Sequence, residues 1–157
     1  MPSPALATSS TRPKPPRKSS LSSAFGRLMR VYGHSMAPTL QPGAVVLVRV
    51  GAYEHRSPRR GEIVAARPAG LGGKAFVKRI VGLPNERVTV EDRQWQLSDE
   101  QFFLLGDQPE HSLDSRVFGP VSRAELLGPV RARVWPWKLL ATQHKTWERD
   151  GETSEMP

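Results

Sequence analysis

A serine and a lysine stand out among the residues able to do chemistry. Ser35 sits in GHSMAPTL (Gly33 to Leu40), and Lys78 sits in FVKRIVGLP (Phe76 to Pro84), 43 residues further on. A serine hydroxyl attacks a carbonyl well only when a base takes its proton. A lysine amine can be that base if its surroundings keep it neutral near working pH. The serine lies among turn formers, Gly33, Pro38 and Pro42, which present a hydroxyl outward and leave backbone N–H groups free for an oxyanion. The lysine lies among Phe76, Val77, Ile80 and Val81, an apolar setting that lowers an amine's pKa.

The other titratable residues offer less. His34, His55, His111 and His144 show no metal-ligand spacing, no Gly-rich phosphate loop is present, and neither metal nor cofactor is expected. In an extended segment His34 faces away from its neighbour Ser35. The chain has no cysteine, which excludes disulfides, thiolate metal sites and thiol catalysis.

These residues must be positioned by short strands. Val45 to Val50, Ile63 to Ala66, Ala75 to Val81, Gln101 to Leu105 and Val130 to Val134 read as strands. Arg87 to Val90 and Gln94 to Leu97 read as a hairpin, and Phe25 to Tyr32 leads into the first strand. Tyr53 to Arg60 reads as a polar loop, and Gly106 to Pro120 as a long one. Ser122, with Glu125 three residues on, predicts one or two helical turns over Ser122 to Leu127. Frequent Gly and Pro turns between short strands argue a mostly β fold with one short helix. Residues 25–142 are expected to form the folded domain. A basic, Pro- and Ser-rich tail is expected over 1–24, and a charged flexible end over 143–157.

Net charge is +8 over 157 residues, and no acidic residue occurs from Met1 to Tyr53. Such a face suits anionic partners, or it is a solvated tail. No aromatic residue interleaves the tail's charges, so no specific nucleic acid is expected. No run reaches the roughly 18 to 20 apolar residues of a spanning helix. A cytoplasmic or peripherally membrane-associated protein is expected; the Arg- and Ser-rich start also resembles an organellar transit peptide in composition.

Four stretches carry a family resemblance, and they occur in the family's order. GHSMAPTL resembles the nucleophile box of type I signal peptidases, and FVKRIVGLP resembles their lysine box. RGEIVAAR (Arg60 to Arg67) resembles the strand between the two. GDQPEHSLDSRVFGPV (Gly106 to Val121) resembles the block that closes the active site. The resemblance spans Gly33 to Trp137. It implies coiled antiparallel β-sheets and a serine endopeptidase with Ser35 as nucleophile, Lys78 as base and the Ser35 N–H in the oxyanion hole. It implies that Ser112 orients the lysine and that Asp114 and Arg116 form a structural pair. Asp107 is expected to cap the turn after Gly106. Met36, Gly33, Phe76 and Val77 are expected to line a site where a precursor protein adds as an extended strand, with pockets for small side chains.

The chain departs from the family pattern in three ways. Glu62 stands where the family more often has Asp, and Gly33 stands where some members have a serine donor. No spanning segment precedes the serine box. Short spacing between the boxes resembles the branch that trims the pro-sequence of nickel-type superoxide dismutases, an activity in which the substrate holds the metal. The other readings are general signal peptidase activity on exported proteins, a basic nucleic-acid-binding module and a non-catalytic interaction module. Self-cleaving LexA-like repressors share the Ser/Lys logic but carry an upstream cut site, commonly Ala-Gly; here the Ala-Gly pair is Ala69-Gly70, between serine and lysine.

Overall fold

The computed structural model describes residues 26–140. The expected tail over 1–24 and the charged end over 143–157 lie outside them, as does His144. The described chain is mostly β, as its short alternating segments predict. Its strands are β1 (Gly26–Arg30), β2 (Val45–Arg49), β3 (Ile63–Ala66), β4 (Phe76–Gly82), β5 (Arg87–Val90), β6 (Arg93–Gln96), β7 (Gln101–Leu105), β8 (Val121–Ser122), β9 (Leu126–Trp135) and β10 (Lys138–Leu139).

One antiparallel sheet runs β1-β2-β9-β3-β4-β7-β8, with β10 also on β9, while β5 and β6 form a separate hairpin. β9 is the long central strand. It pairs β2 through one half and β3 through the other, and register shifts in both ladders let the sheet curl. Gly128 sits at this bend because a Cβ there would press on the Arg49 carbonyl.

β3 (IVAA) is buried on both faces, which is why it reads as a continuous apolar run. Ile63 and Ala65 join a core with Met36, Leu40, Val46, Val48 and Val77. Val64 and Ala66 join a second core with Tyr53, Ile80, Phe102 and Leu104. Period-2 alternation thus splits one short strand between two cores.

The helical expectation over Ser122 to Leu127 holds only at its shorter length. Ser122 and Glu125 do form a capping box, but the turn they cap is a single 3-10 turn at Arg123–Glu125. The chain then enters β9, because Leu126 is claimed by the second core and pairs with Ala66. The α-helix is α1 (Ser115–Phe118), inside the long loop read from the sequence, and Asp114 caps it. The stretch read as a polar loop from Tyr53 starts with a 3-10 turn (Ala52–Glu54). It buries Tyr53, whose hydroxyl donates to Glu62.

Candidate active site

Ser35 stands at the start of a tight turn. The Ala37 N–H donates to the His34 carbonyl and the Leu40 N–H to the Met36 carbonyl. Met36 and Leu40 are fully buried in the first core and pin the turn from below. Gly33 precedes the turn with φ +73°, a backbone shape that favours glycine, so a serine hydroxyl two residues before Ser35 would come with strain. Among the described residues the Ser35 N–H donates to no other group.

Lys78 is delivered by β4. Directly across the ladder from it is Val64 on β3, fully buried. Phe76 lies two residues before it, and the amine sits 5.8 Å from the centre of that ring. Lys78 is 3% exposed. Its Nζ lies 2.8 Å from Ser35 Oγ, its hydrogen-bond partner among the described residues. Burial pulls the amine from its ordinary 10.5 down to about 8, and the charges of Asp114 and Asp107 only partly oppose that fall. The neutral form that accepts the serine proton is therefore populated from about pH 8 upward, well below the range of an exposed lysine.

Two further arrangements fix the distance between serine and lysine. Arg79, on the opposite face of β4 from Lys78, donates to Asp107 through Nε (2.8 Å) and a terminal nitrogen (2.7 Å), and to the Gly61 carbonyl. Thr39, in the serine turn, donates to the same Asp107 carboxylate at 2.6 Å. Asp107 thus ties the nucleophile turn to the base strand. The expectation of a cap on the turn after Gly106 did not include this tie. The Gln108 N–H donates to the Ser35 carbonyl at 3.0 Å, a second tie from the same loop.

The second arrangement is centred on Asp114, which is fully buried. It accepts from the Gly106 N–H, from Ser112 Oγ at 2.6 Å and from Arg116. Burial alone would raise its pKa. The Arg116 guanidinium, the Gly106 N–H and the Ser112 hydroxyl overcome this and hold it below the usual carboxylate range. The Asp114–Arg116 pair is therefore as expected. Ser112 differs: it gives its proton to Asp114 and makes no hydrogen bond to Lys78 among the described residues. A Cβ on Gly106 would collide with Ser112 Oγ and lie 2.6 Å from the Ser35 carbonyl, so the loop packs directly against the serine turn.

A cleft of about 450 Å³ opens above Ser35 and Lys78. Residues of β1 and its continuation to Gly33 form one wall. Residues from Lys74 to Lys78 form the other, and His111 and Leu113 form a rim. Gly33, Phe76 and Val77 line it as expected. Met36 does not, because its side chain is spent on anchoring the turn in the core. His34 lies with its ring 6.2 Å from that of His111 and does not bond Ser35.

The chain matches the family model described as signal peptidase, peptidase S26, over residues 20–100 and 89–135. The chain belongs to this family. Among curated proteins it is 35% identical over 130 residues to a probable signal peptidase I-2 of Synechocystis sp., an alignment covering 65% of this chain and 60% of that protein. It is 32% identical over 123 residues to a mitochondrial ATP-independent inner membrane protease subunit 1b of Arabidopsis thaliana, covering 73% of each. It is 34% identical over 110 residues to a mitochondrial inner membrane protease subunit 1 of Schizosaccharomyces pombe, covering 66% of this chain and 70% of that one. The chain thus spans less than two thirds of the cyanobacterial relative's length. No helix among the described residues is long and apolar enough to cross a membrane.

Signal peptidase resemblance in the sequence pointed to Ser35, Lys78, Ser112, Asp114 and Arg116; the fold brings Ser35 and Lys78 into contact in the cleft and gathers the other three in the loop that packs against the serine turn. Arg79 and Thr39 were not singled out. Arg79 had one visible signal, a second cation directly after Lys78 in an otherwise apolar run.

Proposed function

We propose that the protein is a serine endopeptidase that removes an N-terminal segment from a precursor protein, with Ser35 as nucleophile and Lys78 as general base. The observation that carries this reading is the 2.8 Å contact between Ser35 Oγ and a lysine amine that is 3% exposed and forms no ion pair among the described residues. Lys78 accepts the Ser35 proton as Oγ attacks the scissile carbonyl. The free Ser35 N–H stabilises the oxyanion. The C–N bond breaks, and Lys78 gives its proton to the leaving amine. Water then attacks the acyl-serine, Lys78 takes a water proton, and the proton returns to Ser35 as the acid product leaves.

Strand geometry supports an extended substrate. Among the described residues β1 is an edge strand, paired only to β2. β4 pairs β7 only from Arg79 onward, so its stretch from Phe76 to Lys78 is unpaired on that side. A peptide laid between these open edges gains main-chain hydrogen bonds, while the cleft walls select its side chains. Exposed Leu28, Tyr32, Trp135 and Trp137 support peripheral membrane contact as part of the same reading.

Within the family, the short spacing between the serine and lysine boxes favours a nickel-type superoxide dismutase precursor as substrate over exported proteins at large. The test incubates the full chain with that precursor and with exported precursors, and maps new N-termini by mass spectrometry. Cleavage that is absent with Ser35→Ala is expected. Cleavage undiminished by that change, or by Lys78→Arg, would remove the dyad from the mechanism, since a guanidinium stays protonated throughout the working range.

A further inference from the structure

The walls of the cleft carry cations and no carboxylate. Arg30 on β1, Lys74 ahead of β4 and His111 all line it. Arg30 and Lys74 are exposed, and neither has an acidic partner among the described residues. The acids closest to the dyad are already engaged, Asp107 with Arg79 and Asp114 with Arg116. Met29, Tyr32 and Phe76 contribute largely apolar surface to the same lining. A concave surface with one sign of charge and low-dielectric sides concentrates ligands of the opposite sign.

The position of these cations sets where that charge is read. Four antiparallel pairings separate β1 from β4, so the two strands run in the same direction. Lys74 precedes Lys78 by four residues and Arg30 precedes Ser35 by five, which points both cations to the same end of the cleft, away from the dyad. Four residues of extended chain span roughly 13 Å. A substrate strand lying along these edges has nearly the same rise, so its matching residue is about four from the cut.

We propose that the cleft selects precursors carrying an acidic side chain three to five residues from the scissile bond, received by Arg30 and Lys74. This rests on the endopeptidase reading and adds the substrate class that it takes. Phe76 and Val77, the lining residues just before Lys78, are uncharged, so charge is read at a distance from the chemistry.

The test uses the full chain and a set of fluorogenic peptides with a small residue at the cut. Asp, Asn or Lys is placed in turn at each of the positions on either side. The expected kcat/KM for Asp exceeds that for Asn by about three- to tenfold at positions three to five on one side, the range of one or two exposed ion pairs. Lys falls below Asn at the same positions. Near 1 M salt, where charges are screened beyond about 3 Å, the three peptides converge. The substitutions Lys74→Glu and Arg30→Glu reverse the order so that Lys is preferred, a result that mere loss of packing does not produce. Equal kcat/KM for Asp, Asn and Lys at every position, or an unchanged acidic preference in both charge-reversed variants, overturns the proposal. In parallel, wild-type Ser35 is labelled with a small neutral acylating reagent. Labelling and cleavage without charge preference would sink this inference alone. Absence of both would sink the endopeptidase reading and this inference with it.

Discussion

Replacing Lys78 by Met should make the protein more stable at neutral pH and inactive. The unfolded chain holds the lysine proton up to its ordinary 10.5, whereas the folded chain releases it above about 8. Between those values the unfolded state binds more protons, so wild-type stability climbs as pH rises through this window and is lower on the acidic side. Each unit of difference is worth about 1.4 kcal/mol. At pH 7 the buried amine therefore costs about 3 kcal/mol relative to a group that never charges, and at pH 10 the cost is under about 1 kcal/mol. Met fills a similar volume between Val64 and Phe76 without that cost. The lost contact with Ser35 Oγ offsets about 1 kcal/mol of the gain. The net expectation is a variant about 2 kcal/mol more stable than wild type at pH 7, with the difference gone by pH 10. Urea unfolding of both proteins at the two pH values measures it. The wild-type rate of Ser35 acylation should rise about tenfold per pH unit and level off above about 8. A Met variant less stable than wild type at pH 7, or a wild-type rate flat from pH 6 to 10, would refute the claim that burial lowers this amine's pKa.

Three more outcomes follow from the packing around the dyad. Gly106→Ala should cost about 1–3 kcal/mol in urea unfolding and most of the peptidase rate, because its methyl displaces Ser112 and the Ser35 carbonyl together. Asp107→Ala should cost about 3–5 kcal/mol, since it leaves the Arg79 guanidinium buried without its carboxylate; Thr39→Val, which keeps that pair, should cost about 1–2 kcal/mol. Ser112→Ala should lower stability by about 1–3 kcal/mol while the midpoint of the pH–rate profile stays near 8, because the hydroxyl serves Asp114; a midpoint moved by a full unit would restore a direct role in orienting the lysine.

The sequence was legible where chemistry and local geometry coincide. A run such as IVAA between turn signals can only be a buried strand, and Ile63–Ala66 is one. Gly33, Pro38 and Pro42 mark the serine turn without any partner in view. The capping box at Ser122 was legible too, but its length was not. Helix or strand at Leu126 was decided by Ala66 across the ladder, which is 60 positions away. The same limit applies to Asp107, whose partners Arg79 and Thr39 lie 28 and 68 positions away. Ser112 is the converse: the resemblance implied a distant partner, Lys78, and the fold gives its hydroxyl a local one, Asp114.

Residue types and order by themselves determined the family, the mostly β architecture and which serine and which lysine to pair. Tertiary structure decided what those residues experience. Curling of the sheet closes 43 residues of chain to 2.8 Å, and the burial that lowers the Lys78 pKa comes with packing against neighbours that include Val64 across the ladder. Met36 was moved from the cleft into the core by the same closure. Desolvation and cross-strand contact depend on which segments become neighbours, and that is set by the whole sheet at once.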